Sequence, residues 1–282
     1  MAIGVALVGA VVGLVWLAVV ATWTPAASSQ AVESASPCTV AAPEDPAEEP
    51  ESEASCGDPG SLAGTIICID PGHPSEVSLG TASAEVTENH INWVIAQRLA
   101  GIVRSHGAEV VMTKAEEDLL VTNRARAEIA NEAGADLFIR LHCDARPGRG
   151  TATYFPDQQG TTGDGVTGPC QEVIDSSRAI AEVFHPAMIA AMGEGWHDVG
   201  VSGDSRTAVG SRQGALTGSI FAEVPVITVE MISLTNADDA AFILVEENQD
   251  KLAHALAKGI IVALGGSRSP APSTSSGSAG DE

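Results

Sequence analysis

Thr65–Ile69 is a run of apolar and β-branched residues that stops at Asp70-Pro71-Gly72, with His73 directly after. The run predicts a buried strand and the Asp-Pro-Gly a turn. The period then changes. Ile91, Val94, Ile95, Leu99, Ile102 and Val103 recur at helical spacing, after Thr87 as N-cap and Glu88 as a first-turn acid, and Gly107 ends the helix. A strand over 109–113 and a short helix over 123–133, begun at Thr122 and closed by Gly134, come next. A strand over 136–141 then runs into His142, and another covers 151–155. A glycine-rich loop at 157–169 leads to a long helix over 171–192. The strand over 224–229 is tipped by Glu230, and a last helix over 247–264 turns Leu252, Leu256, Ile260 and Ile261 inward. Strands alternating with helices predict an α/β fold: a mostly parallel twisted sheet with helices on both faces, in a single domain.

The ends of the chain follow other patterns. Ala2–Val20 is apolar throughout and, as a helix, would reach roughly 28 Å, about a bilayer core. Residues 1–23 therefore read as a signal sequence or a membrane anchor. No Lys or Arg precedes the segment, and Ala26-Ala27-Ser28 would allow cleavage, so both readings stand. Residues 24–63 are an acidic Pro/Ser/Glu tether and 266–282 a Ser/Pro/Gly tail, both of disordered composition. The folded unit is 64–265.

Charge narrows the partners. The 282 residues carry a formal net charge of −23, and all 14 Lys and Arg lie beyond residue 60. That argues against nucleic acid or an anionic membrane surface as the main partner. The membrane partner expected is the bilayer that the N-terminal segment would enter. The five cysteines fit an oxidising compartment. Cys68 reads as a core residue, and Cys38 with Cys56 and Cys143 with Cys170 are the bridges considered; a metal-ligand role competes for Cys143.

Four polar residues then stand at comparable places: His73 after the first strand, Glu88 opening a helix, and His142 and Glu230 at the ends of two strands. Parallel strands bring their carboxyl ends to one rim. Two imidazoles and a carboxylate are the ligand set of a hydrolytic zinc site, and a second carboxylate can handle the proton of the attacking water. His90 points some 200° around its helix from Glu88 and reads as a surface or packing residue. His106 suits a helix C-terminus, His254 reads as exposed, and His185 and His197 are weaker candidates for substrate contact. Glu223 precedes its strand and is a poorer base than Glu230. Trp93 and Phe138 read as core.

Over about 65–264 the chain resembles the zinc-dependent N-acetylmuramoyl-L-alanine amidases of the Amidase_3 type. Asp70-Pro71-Gly72-His73 is similar to that family's first-ligand motif, and Glu88 to Trp93 to its E-x-x-x-N-hydrophobic helix start. Arg124, Ala130-Asn131 and Ala135 to His142 are similar to its R…AN…ADLFISIHAN run. Pro225 to Glu230, with Leu234-Thr235-Asn236, resembles its P-x-x-x-x-E…(I/L)-x-N stretch. The resemblance implies His73, Glu88 and His142 as ligands of Zn2+ and Glu230 as the catalytic carboxylate. It also implies peptidoglycan as substrate, cleavage between N-acetylmuramic acid and L-Ala, and an extracytoplasmic place in the periplasm or cell envelope. Arg206, in a loop where such proteins often have an arginine, would hold a substrate carboxylate or be a plain surface residue. The chain departs from the family at Pro74-Ser75 in place of Gly-Gly, Arg140 in place of Ser, and Cys143-Asp144 in place of Ala-Asn. The rival readings are a zinc carboxypeptidase on the same polymer and a degenerate amidase that binds peptidoglycan without cutting it. Nothing in the sequence identifies an activator protein.

Overall fold

The computed structural model describes residues 61–83 and 85–265; the N-terminal segment, the tether up to residue 60 and the tail from 266 lie outside the described residues. In chain order the elements are β1 (Ile66–Pro71), α1 (Glu88–Ser105), β2 (Glu109–Met112), α2 (Asn123–Glu132), β3 (Leu137–Asp144) and β4 (Thr151–Phe155). There follow β5 (Gly160–Thr161), β6 (Thr167–Gly168), α3 (Gln171–Met192), β7 (Asp198–Gly203) and a single 3-10 turn at Asp204–Arg206. The last are α4 (Gly210–Gln213), α5 (Thr217–Ile220), β8 (Val226–Ser233), α6 (Ala237–Ile243) and α7 (Glu246–Leu264).

Six strands form one sheet in the order β2-β1-β3-β8-β4-β7. All its pairings are parallel except β4 with β8. The mostly parallel sheet expected from the sequence is present, with β4 and β7 running opposite to the other four strands.

The two faces of the central strands differ, because successive side chains point to opposite sides. Ile67 and Ile69, Ile139 and Leu141, and Ile227 and Val229 enter the main core, where α1, α3 and α7 supply Leu99, Phe184 and Leu256. The alternate residues Cys68, Phe138 and Val226 pack under α2, against Ala127 and Ala130. Further along that second face the residues turn polar. Asp70 is opposite Arg140, Arg140 opposite Thr228, and His142 opposite Glu230. The functional side chains are thus the continuation of one sheet face past the end of its apolar packing.

Three strands run further than the apolar pattern predicts. β1 reaches Pro71, β3 reaches Asp144 and β8 reaches Ser233. His142 and Glu230 therefore lie within strands and not at their ends, since Asp144 still pairs with Ser233 after a register shift beyond His142. The glycine-rich loop contains the β5–β6 ribbon. β7 and α6 were not expected: Asp198–Gly203 carries only two apolar residues, Val199 and Val201, and α6 is only seven residues long, capped by Asn236. Leu62, at the end of the expected tether, is fully buried, so the packed unit begins slightly earlier than residue 64.

Cys68, Cys143 and Cys170 are all free, which corrects the Cys143–Cys170 pairing. The Cys143 thiol is buried on β3 and donates to Asn92 Oδ1, whereas Cys170 is exposed at the start of α3. Cys38 and Cys56 lie outside the described residues. No helix among the described residues is long and apolar enough to cross a membrane.

Candidate metal centre

His73 is aimed by its backbone. It has φ +62°, a left-handed conformation uncommon outside glycine, and its peptide to Pro74 is cis. Its carbonyl accepts from the Lys114 ammonium, which also reaches Asn89 Oδ1 at 2.8 Å and the Glu117 carbonyl at 2.7 Å. Burial, with the Arg126 charge nearby, lowers Lys114 to about 8. Gly72 is required for a separate reason: a Cβ there would lie 2.4 Å from Cε1 of His142. Asn92, one turn after Glu88, donates from Nδ2 to the Gly72 carbonyl at 3.2 Å and so ties α1 to the turn.

Glu88 stands at the first turn of α1, behind the Thr87 cap, whose hydroxyl accepts from the His90 N–H. Its Oε2 accepts the Thr81 N–H at 2.8 Å and its Oε1 the Cys143 N–H at 3.1 Å. The same Oε1 is 3.0 Å from His142 Nδ1 and 3.3 Å from His73 Nε2. One ligand atom from each of His73, Glu88 and His142 lies within 4.8 Å of the others.

The donor set fits a divalent cation. His73 Nδ1 lies 3.2 Å from the Ser78 carbonyl, which can only accept, so that nitrogen carries the ring proton. The Nε2 lone pair then faces the Glu88 carboxylate at 3.3 Å, two acceptors with no proton between them. A cation there, or a second proton on the ring, resolves the contact. Burial pushes the Glu88 carboxyl up, but the His142 and His73 rings outweigh it and hold it well below the usual carboxylate range. Burial also lowers His142, which favours the neutral imidazole that ligates.

Glu230 lines the same cleft, a space of about 240 Å³ that also includes His73, His142, Arg140 and Thr228. Val77, Val209 and Leu216 form its apolar walls. Glu230 Oε2 is buried without a hydrogen-bond partner. Burial first, then the charges of Glu88 and Asp144, raises this carboxyl well above its usual value. A buried carboxylate with a free lone pair, beside a cation site, can take up a proton and return it.

Beneath the cleft lies a network that the sequence reading missed. Asp70, fully buried, accepts from Thr113 Oγ1, from Arg126 and, at 2.9 Å, from Arg140 Nε. Burial would raise Asp70, but Arg126 and Arg140 hold it far below the usual range. The available signal was an acid and an arginine, each interrupting an apolar strand in step with a histidine two or three residues on.

The remaining predicted residues are not gathered at the cleft. Arg206 is exposed on the 204–206 turn. Arg124, the arginine of the family-like run, pairs with Asp164 and covers the Phe221 ring; Arg126 reaches the site in its stead. His90 pairs with Glu117, and His254 is exposed with Nδ1 donating to the Asp250 carbonyl. His185 is buried between Thr153 Oγ1 and Asp198 Oδ1, each at 2.8 Å, which leaves it no access to substrate. His197 and Glu223 are exposed.

The family profile described as N-acetylmuramoyl-L-alanine amidase matches residues 67–262. The chain is 28% identical over 203 residues to the N-acetylmuramoyl-L-alanine amidase LytC of Bacillus subtilis, covering 71% of this chain and 36% of that one. It thus spans about a third of that relative's length. In fold it is similar to Ami1 of Mycobacterium smegmatis (TM-score 0.60, 21% identity, 73% of this chain and 99% of that one). It is similar also to AmiC2 of Nostoc punctiforme (TM-score 0.56, 24% identity, 70% and 95%).

Proposed function

The chain belongs to the N-acetylmuramoyl-L-alanine amidase family, and from that membership we propose that it hydrolyses the amide joining the lactyl group of N-acetylmuramic acid to L-Ala of the peptidoglycan stem peptide, with zinc held by His73, Glu88 and His142. The observation that carries the reading is the meeting of these three donors within 4.8 Å on a cleft that also holds the unpartnered Glu230 carboxylate. Zinc bound there would polarise the amide carbonyl and lower the pKa of water from ~16 to ~7.

The chain's own groups do the rest. Glu230 Oε2 takes the proton of the attacking water and delivers it to the departing L-Ala amine, so it ends as it began. Gly72 and the Glu88 carboxylate fix the His142 ring, and Lys114 and Ser78 fix His73. Val77, Val209 and Leu216 narrow the cleft, which strengthens every charge interaction inside. Arg206 is kept as a contact for a stem carboxylate outside the cleft. Residues 1–23 serve as the export signal or anchor that delivers the domain to the wall.

The test is digestion of purified peptidoglycan by the zinc-loaded chain, with the new ends identified by mass spectrometry. Free stems bearing an L-Ala amine are expected. Shortened stems still on sugar would replace the reading with a carboxypeptidase, and bound but uncut polymer with a binding module.

A further inference from the structure

The floor of the cleft holds a charged group that the chemistry above does not use. β3 carries Arg140 two residues before His142, β8 carries Thr228 two residues before Glu230, and the register sets Arg140 beside Thr228. Both side chains are buried, and both line the cleft.

Arg126 and Arg140 share one hydrogen-bonded carboxylate, that of Asp70. Arg126 is fully engaged: its nitrogens also reach the carbonyls of Val121, Pro71 and Pro74. Arg140 is not. Nε donates to Asp70 Oδ2 at 2.9 Å and Nη2 to Asn123 Oδ1 at 2.8 Å, while Nη1 has no hydrogen-bond partner among the described residues. Glu230 and Asp204 feel the Arg140 charge, but neither is hydrogen-bonded to it. Beside it, Thr228 Oγ1 is buried and also unpartnered. Space for Nη1 exists because residue 218 is glycine; a Cβ there would lie 2.3 Å from it. A guanidinium held at two corners, with a third left open next to a free hydroxyl, is a preorganised receptor for a carboxylate.

We propose that Arg140 and Thr228 form a subsite for a carboxylate of the substrate's leaving peptide, so that the enzyme selects stems whose residue after L-Ala carries a free acid over those in which it is amidated. This rests on the amidase reading, in which that residue departs through the same cleft. A site built around an open guanidinium N–H and a free hydroxyl, where two arginines share one carboxylate, binds the acid with a charge-assisted pair that the uncharged amide cannot make. Arg140 and Thr228 are positioning residues; the bond-breaking proton transfer stays with Glu230.

The test uses the full zinc-loaded chain with N-acetylmuramoyl-L-alanyl-D-glutamate and its D-isoglutamine counterpart, both capped at the γ-carboxyl as the methylamide so that they differ only in the α-carboxyl. kcat/KM is measured for each, and Kd for the two product dipeptides by calorimetry. A preference for the acid of tenfold or more is expected in both measurements. Arg140→Gln and Thr228→Val should each reduce it toward unity, and Arg140→Lys should retain part of it. Gly218→Ala, which keeps both donors but fills the space beside Nη1, should also reduce it and serves if Arg140→Gln does not fold. Equal affinity of the wild type for the two dipeptides, or an unchanged preference in Thr228→Val and Gly218→Ala, overturns the subsite. Equal cleavage of both substrates with equal affinity leaves the amidase reading intact and removes the subsite. A binding preference without cleavage of either removes the amidase reading and leaves the subsite.

Discussion

Glu230 and Asp204 are both carboxyls that burial raises, yet they are placed for different work. Glu230 has an open lone pair on the cleft, and Glu230→Gln should keep the metal while lowering amide cleavage by roughly 10²–10⁴-fold, read as released stems against bound zinc. Asp204 is fully buried, and burial raises it from 3.8 to about 6, with its Oδ2 accepting the Leu216 N–H at 3.1 Å. Because the folded value lies above the unfolded one, its contribution to stability is present below pH 3.8 and lost as pH rises through 6. Asp204→Asn should therefore stabilise the protein near pH 7 by up to about 3 kcal/mol, with little effect below pH 4, in melting curves taken across that range. Asp70 has the opposite sign: its carboxyl is held low, so its contribution persists down to strongly acid pH. At this scale the candidate ligands that meet in the cleft were legible, because each histidine or acid stands at a visible boundary of an apolar run. The Asp70–Arg126–Arg140 network was not, because its members are joined only by a strand register that one sequence does not reveal.

Among the elements, α7 sets Gly259 directly against Phe184 of α3. A Cβ at 259 would lie 2.6 Å from the ring and 2.9 Å from the Phe184 carbonyl. Gly259→Ala should cost ~1–3 kcal/mol by overpacking and lower Tm by ~2–4 °C per kcal/mol, while zinc content and kcat per folded molecule stay unchanged. The long helices and the central strands were legible, because Ile91 to Val103 keeps a helical period, Ile66 to Ile69 is continuously apolar and Val226 to Val229 is apolar or β-branched. β7 and α6 were hidden for physical reasons. Gly200 adopts φ +96° within β7, where the apolar pattern is short, and α6 depends on the Asn236 side chain accepting the Asp238 and Asp239 N–H groups. The reversed direction of β4 follows from the short connection between Asp144 and Thr151, which is too short for a parallel crossover.

For the whole molecule the expected consequence is coupling between metal and fold. The three donors come from the turn after β1, from α1 and from β3, so an ion held there would tie the sheet to its first helix. Removing zinc with a chelator should abolish cleavage and lower Tm, and added zinc should restore both; at a hundredfold excess over Kd the linkage is ~2.7 kcal/mol. An unchanged Tm on chelation would mean that these residues hold no ion in the folded state. The α/β architecture was readable from the alternation of strands and helices.

The two-faced sheet sets a limit on how such a protein can diverge. From Ile67 to Ile69, Leu137 to Cys143 and Ile227 to Met231 the odd-numbered residues enter the main core, and the even-numbered positions of these strands carry Asp70, Arg140, His142, Thr228 and Glu230. Inserting or deleting one residue in any of these strands would turn its reactive side chains into the core and its aliphatic ones into the cleft. Lineages can therefore alter this centre by substitution but not by a change of length within the strands. Length changes have to collect in the connections, and those at 74–86 and 204–216, which supply Val77, Val209 and Leu216 to the walls of the cleft, are where related enzymes can acquire new preferences without rebuilding the floor.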